Sequence, residues 1–176
     1  MNAFALFGVS ILASFVSSLV AARLFAWPRL KNTDRNRALT LLVTPHMFLR
    51  FIGLSFLVPG VVSPLLPAGF AAPAAYGDLV AGILAILATV ALVKRASPAL
   101  AAVWLFNVWG AADFIFAFYE GGHLRIDPGA LGASFFIVTV VVPALLVSHV
   151  LIFCLLVGRE TVSTKPLTPG SWAIRK

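Results

Sequence analysis

LFNVWGAADFIFAFYE, residues 105–120, is apolar enough to lie within a membrane, yet it contains Asn107, Asp113 and Glu120. A carboxylate inside a membrane helix costs at least ~2.5–3.5 kcal/mol on insertion scales, so it normally faces protein or water and has a partner. The stretch therefore predicts a membrane helix with a polar face. It also raises the question of which residue elsewhere in the chain pairs with Asp113.

The composition is typical of an integral membrane protein. Of the 176 residues, 61% are hydrophobic and only 11% are charged, whereas soluble domains carry about 25% charged residues. The formal net charge is +7, but most basic residues flank apolar segments, which indicates membrane topology rather than nucleic-acid binding. Cys154 is the only cysteine in the sequence, which excludes an intrachain disulfide framework and a cysteine-rich metal site.

Five apolar segments are each long enough to cross a hydrocarbon core of ~30 Å at about 1.5 Å per residue. They are predicted at residues 3–27, 38–62, 75–93, 99–119 and 131–157. Pro45 and Pro59 are expected to kink or loosen the second span, and the proline-rich residues 63–73 predict an ordered loop. The predicted fold is an all-α bundle of five transmembrane helices, a single domain over residues 1–158 with a mobile tail over residues 159–176.

The basic residues of the loops lie almost entirely on one side of these spans. Residues 28–37, 94–95 and 159–176 contain them, whereas the loops of the other side have only Arg125. By the positive-inside rule the N-terminus is outside and the C-terminal tail is cytoplasmic. The expected location is a multi-pass position in a cell inner membrane, with the lipid bilayer as a partner and no nucleic acid.

Polar residues near the middle of the spans can meet only where their depths agree. His46 and Arg50 are four residues apart on the second span, and Gly53 and Leu57 continue the same face of that helix. Counted at about 1.5 Å per residue from the helix ends, the polar residues form two layers. The inner layer is His46, Asn107 and His149, and the outer layer is Asp78 and Asp113, with the long Arg50 side chain able to reach it.

The outer layer has a net negative charge if Arg50, Asp78 and Asp113 are all ionised. Such a buried set must be hydrogen-bonded, hydrated or partly protonated. It is either a structural ion pair or a functional polar site, and both interpretations stay open. His149 has only apolar neighbours on its own helical face, so we expect it to contact His46 or Asn107, directly or through water.

Several catalytic signatures are absent from the sequence. There is no His-Glu-x-x-His, Gly-x-Ser-x-Gly, Gly-x-x-x-x-Gly-Lys or Cys-x-x-Cys motif. Zinc-protease, hydrolase and nucleotide-driven functions therefore lose their main support, and no catalytic residue is assigned.

Three functions are compatible with these observations. The first is a proton- or ion-coupled permease or channel-like protein that moves a small solute or ion, with a buried polar or ion site. That site would comprise His46, Arg50, Asp78, Asn107, Asp113 and His149. The second is a haem b protein with His46 and His149 as axial ligands, since bis-His ligation needs two histidines at one depth on facing helices. The third is a non-catalytic subunit or assembly factor of an oligomer or larger membrane complex.

Three stretches carry a resemblance to other proteins: AYGDL at residues 75–79, FNVWGAAD at 106–113 and VPALLVSH at 142–149. Together they resemble an uncharacterised group of small bacterial multi-span membrane proteins, over most of residues 40–157. The resemblance implies a bacterial inner-membrane setting. It implies no substrate, because that group has no assigned function.

Overall fold

The computed structural model describes residues 2–158, and the regular elements in that range are helical, with no strand beyond one isolated bridge pair. The long helices are α1 Ala3–Leu30, α2 Arg35–Leu57, α3 Ala68–Val93, α4 Ala99–His123 and α5 Ile137–Val157. All five are long and apolar enough to cross a membrane, which confirms the predicted number of long apolar helices. The predicted tail, residues 159–176, lies outside the described residues.

Prolines cause local irregularities in three of these helices. Pro28 and Pro143 each follow a π-helical turn, Ala22–Ala26 in α1 and Ile137–Val141 in α5. A proline has no N–H for the helical ladder and its ring crowds the preceding turn, so the backbone widens there. Pro45 lies in the turn that interrupts α2, which confirms the kink predicted at this position.

Two predictions about the segment between α2 and α3 were wrong. Pro59 lies beyond α2 rather than inside it, because a proline forces the preceding Val58 into an extended conformation with φ −92° and ψ 114°. α3 begins at Ala68, within the predicted loop, and includes Pro73 inside the helix. That proline removes only one backbone hydrogen bond near the start of a long helix, which the other bonds of α3 tolerate.

The short 3-10 helix Pro128–Ser134 precedes α5, where the sequence predicted the first turn of the fifth span. Gly132 redirects the chain there with a φ of 53°, a left-handed value that glycine adopts without a Cβ clash. Ala133 donates its backbone N–H to the carbonyl of Val61 at 2.9 Å. This bond ties the loop after α2 to the segment that leads into α5.

The second half of α2, Arg50–Leu57, is also a 3-10 helix, and this changes which side chains face the interior. Its buried residues are Arg50, Gly53 and Phe56, spaced by three, as the three residues per turn of this helix require. Leu57, which a regular α-helix would place on the same face, is 41% exposed. The 3-10 geometry therefore directs Arg50 and Gly53 into the same interior space.

α3 lies at the centre of the bundle, between α2 and α4. Its fully buried residues include Ala75, Ala81, Ala85 and Ala88, and such small side chains allow helix backbones to approach closely. α1 is peripheral, because it packs mainly along α5 and has no buried residue between Ala3 and Ala21. The interior of the bundle is therefore built from α2, α3, α4 and α5.

The two ends of the bundle differ in charge. Arg35, at the start of α2, donates from Nε and Nη2 to the carbonyls of Leu155 and Leu156 at 3.0 and 2.7 Å, so it caps the end of α5. Lys94 and Arg95 follow α3 at this same end. We call it the basic end, and we call the opposite end, formed by residues 58–67 and 124–136, the distal end.

Candidate functional site

Arg50 is the centre of a buried polar cluster between α2, α3, α4 and α5. Its Nη1 donates to Asp78 Oδ1 at 2.7 Å and to Asp113 Oδ2 at 2.8 Å. Its Nη2 donates to the carbonyl of Gly110 at 2.5 Å and to His149 Nε2 at 2.9 Å. A guanidinium has five N–H groups, and here only Nε is without a partner among residues 2–158. Arg50, which belongs to α2, therefore connects this helix to α3, α4 and α5.

The ring of Phe114 covers one face of this guanidinium, with Arg50 Cζ 3.4 Å from the ring centroid. A desolvated cation–π contact of this kind contributes about 2 kcal/mol. Since hydrogen bonds hold the edge of the guanidinium and an aromatic ring holds its face, the orientation of Arg50 is fixed in two directions.

Asn107 fixes the tautomer of His149. The Asn107 amide donates from Nδ2 to the backbone carbonyl of His149 at 3.2 Å, which turns Asn107 Oδ1 toward the imidazole ring. His149 Nδ1 lies 2.6 Å from that oxygen and must donate to it, because an amide oxygen is only an acceptor. Nε2 is then the acceptor nitrogen of a neutral ring, which matches its contact with Arg50.

His46 extends the cluster toward the basic end. Its ring centroid is 4.5 Å from that of His149, and its Nε2 is 3.2 Å from Ser148 Oγ. Ser148 donates its hydroxyl proton to the carbonyl of Leu42 at 3.3 Å, so it accepts from His46 Nε2. His46 Nδ1 is buried and has no partner within the described part of the chain, so a proton on it would lack an acceptor.

Three glycines make room for the charged side chains. A Cβ on Gly53 or Gly77 would overlap the aspartate carboxylate that faces it, and a Cβ on Gly110 would lie 2.7 Å from Arg50 Nη2. Sequence reasoning gave these glycines no role. The available signal was that each helix that contributes an ionised side chain to the cluster also carries a glycine close to one of the charges.

The cluster has one more negative charge than positive charge when both aspartates are ionised. Among its described members only Arg50 is cationic, since His149 Nε2 accepts from Arg50 and a proton on the buried His46 Nδ1 would have no acceptor. The side chains of Asp78 and Asp113 are only 7% and 10% exposed. An uncompensated charge at such a position is costly, so the cluster favours the uptake of one cation, of which the proton is the smallest.

A small cavity reaches these carboxylates, and a larger cavity adjoins it toward the distal end. The smaller has a volume of about 30 Å³ and is lined by both aspartates and by aromatic rings, and this volume accommodates about two water molecules. The larger has a volume of about 410 Å³ and extends to Arg125 in the distal loop. The walls that the two cavities share are Phe70, Ala117, Phe118 and Val138. The carboxylates therefore line the smaller cavity, and the larger cavity adjoins it on the distal side.

A packed apolar layer separates the cluster from the basic end. Its members come from α2, α3, α4 and α5 and are all buried: Leu39, Val43, Ala85, Ala88, Leu92, Ala99, Val103, Phe106, Ile152 and Leu156. Each lies closer to the basic end of its helix than the cluster residues do. Side-chain packing therefore fills the interior of the bundle between the cluster and the basic end. Two grooves on the outside of the bundle also reach polar side chains of this region: one of about 490 Å³ between α3 and α4 is lined by Asp113, and one of about 490 Å³ between α1 and α5 is lined by Ser148.

The two histidines do not fit the haem hypothesis. Axial ligands lie on opposite faces of a haem macrocycle, but the His46 and His149 ring centroids are 4.5 Å apart, so the two imidazoles contact each other directly. Both nitrogens of His149 are also engaged, by Asn107 and by Arg50.

The structure brings all six predicted polar residues together. The predicted inner and outer layers form one network, because His149 of the inner layer bonds Arg50 of the outer layer. The expected contact of His149 occurs with both candidates, Asn107 and His46. Sequence reasoning missed Phe114, which covers the guanidinium of Arg50, and Ser148, which contacts His46. A phenylalanine or a serine in an apolar helix gives no specific signal of such a role.

Residues 6–157 match a family model described as Domain of unknown function (DUF8737). The match covers most of the chain and includes every residue of the cluster. No curated protein and no solved structure shows significant similarity to the chain. The function must therefore be inferred from the cluster and the cavities themselves.

Proposed function

Because the chain belongs to the DUF8737 family, which has no assigned function, we propose from its buried cluster that it is a small proton-coupled permease of a cell inner membrane. In this proposal the five apolar helices cross the bilayer, the N-terminus is outside and the basic end faces the cytoplasm. A proton binds to the Asp78–Asp113 pair, and a small solute enters from the distal end.

The observation that supports this proposal is the sharing of one arginine by two carboxylates, at 2.7 and 2.8 Å. A purely structural ion pair needs one carboxylate, and a second one adds an uncompensated charge that is expensive to bury. A site that alternately holds and releases a cation needs this second carboxylate. The excess charge is therefore better explained by binding than by stability.

The irregular helices support a protein that changes shape around the cluster. Arg50 begins a 3-10 segment, and α1 and α5 contain π-helical turns; both geometries are often found at hinges and functional sites. The packed layer on the basic side excludes an open channel in this conformation. A permease that exposes its site to one side at a time has this arrangement when it is open, or nearly open, to the distal side.

The proposal is tested by thiol accessibility in sealed vesicles of known orientation. In a Cys154→Ser background, single cysteines replace Ala117 in the wall of the distal cavities and Ala88 in the packed layer. A membrane-impermeant maleimide is expected to label Ala117→Cys from the distal side and, more slowly, Ala88→Cys from the basic side. Leu87→Cys is the matched control, because Leu87 neighbours Ala88 but is 57% exposed on the outside of the bundle, where an aqueous reagent does not reach it in lipid.

Labelling of Ala117→Cys but never of Ala88→Cys would contradict a permease and would indicate a one-sided binding protein. The hypothesis of a subunit or assembly factor stays a prediction, and co-purification of a stoichiometric partner would favour it over the permease.

A further inference from the structure

We infer that the solute of this site is a small organic monocation, a primary ammonium group attached to a compact apolar body. The ammonium binds beside Asp78 and Asp113 in the smaller cavity, and the apolar body fills the larger one. This inference rests on the proposed function, because the ammonium takes the place of the bound proton. Binding of the solute is thereby coupled to release of the proton.

The charge of the cluster selects the sign of the ligand. With both aspartates ionised the cluster carries one excess negative charge, which a monocation neutralises, whereas an anion would double it. Asp78 is only 5% exposed, and one oxygen of its carboxylate, Oδ2, accepts no hydrogen bond from the described residues. Asp113 Oδ1 likewise receives none. These two oxygens lie against Gly53 and Gly77, but both aspartates line the smaller cavity, and each carboxylate accepts one hydrogen bond of the roughly four it can accept, so acceptor capacity remains for an ammonium N–H donor.

Aromatic rings provide the remaining contacts for a cation. Phe56, Phe70 and Phe118 line the smaller cavity together with the two aspartates, and the negative face of an aromatic ring attracts a cation within about 6 Å. Phe114 already contacts the guanidinium of Arg50 in this way. The cavity therefore combines the two chemical groups, carboxylate and aromatic face, that bind ammonium ions.

The sizes of the cavities define the shape of the ligand. About 30 Å³ is the space of about two water molecules, so an –NH₃⁺ group fits and a trimethylammonium group does not. The adjoining cavity of about 410 Å³ lies within the range of roughly 300–1,000 Å³ that small-molecule sites occupy. Its walls are almost entirely apolar and include Phe4 and Phe7 of α1, which suits a benzyl group or a short alkyl chain.

Arg125 at the rim of the larger cavity does not reverse this preference. Its side chain is exposed, so water and salt screen its charge, whereas the carboxylates are buried and screened far less.

Isothermal titration calorimetry on the purified full chain in nanodiscs tests the inference with benzylamine, benzyl alcohol and benzoate as probes. They have nearly the same apolar body and differ in charge. Benzylamine is expected to bind at least tenfold more tightly than the alcohol, benzoate more weakly still, and benzyltrimethylammonium at least tenfold more weakly than benzylamine. Equal binding of the alcohol would indicate a purely apolar pocket, and tighter binding of benzoate would indicate an anion site at Arg125; either result overturns the inference.

Variants locate the binding and separate the two proposals. Asp113→Asn is expected to weaken benzylamine binding at least tenfold, while Glu120→Gln, which removes a carboxylate elsewhere on α4, leaves it unchanged. In weakly buffered solution, wild-type protein is expected to release close to one proton for each benzylamine bound. Binding without proton release would contradict the proposed proton coupling but leave the ligand class standing. Proton binding by the cluster without any benzylamine binding would overturn the ligand class alone.

Discussion

Neutralising the two carboxylates one at a time and then together tests the excess charge of the cluster. In Asp78→Asn and in Asp113→Asn, Arg50 keeps one charged partner, and the introduced amide oxygen still accepts a hydrogen bond from Nη1. In the double variant Arg50 remains buried with no counter-charge within the cluster. We therefore expect each single variant to lower the free energy of unfolding only slightly and the double variant to lower it strongly.

The magnitudes follow from the contacts of Arg50. Replacing one charge-assisted hydrogen bond by a neutral one costs about 1 kcal/mol, and removal of the excess negative charge offsets part or all of that cost. Leaving a buried guanidinium without a charged partner costs about 3–5 kcal/mol. The double variant is therefore expected to lose at least about 1 kcal/mol more than the sum of the single variants, which is a clear coupling between neighbouring sites.

Reversible unfolding in mixed micelles at neutral pH measures these free energies. Glu120→Gln is the control, and it is expected to change the free energy of unfolding little, alone or combined with the aspartate substitutions. If the losses of the two single variants simply add in the double variant, each carboxylate contributes independently. That result would refute the reasoning that one carboxylate satisfies Arg50 and the other is in excess.

Further predictions concern the glycine contacts, the histidine tautomer and the topology. Gly110→Ala is expected to lower the free energy of unfolding by about 1–3 kcal/mol, since its Cβ would lie 2.7 Å from the guanidinium of Arg50; thermal unfolding should show no comparable loss for Gly8→Ala, where a Cβ meets nothing within 4 Å. Asn107→Leu is expected to cost about 1–3 kcal/mol in the same assay, because it leaves a buried imidazole N–H without an acceptor. Reporter fusions in the loop after α3 are expected to report the cytoplasm, and fusions in the loop after α4 the outside; the reverse pattern would overturn the orientation.

Depth could be predicted from the sequence because the rise per residue is nearly constant along a helix. That is why Asp78 and Asp113 were expected in one layer, with the long Arg50 side chain able to reach it, and the ion pairs confirm that reach. Rotation about the helix axis was less predictable. Leu57 was placed on the interior face by a 3.6-residue period, but the local backbone follows a three-residue period and buries Phe56 instead.

The bond between His149 and Arg50 could not be predicted from depth alone. The long Arg50 side chain reaches carboxylates on one side and the imidazole on the other, and only the packed positions of four helices decide which groups a flexible side chain meets. The cavities were equally inaccessible, because their walls combine rings as distant in sequence as Phe7, Phe70 and Phe118. The spacing of residues along one helix shows which side chains share a face of that helix, but it carries no information about the gaps between helices.

Infrared spectroscopy of the protein in lipid tests most directly whether the Asp78–Asp113 pair holds a proton. At neutral pH and without an organic cation, wild-type protein is expected to show the C=O stretch of a protonated carboxyl in an apolar environment. The band should remain in Glu120→Gln, disappear in the Asp78→Asn/Asp113→Asn double variant, and be lost from the wild type when benzylamine binds. A wild-type spectrum without that band, or a band that survives in the double variant, would contradict a proton-binding cluster.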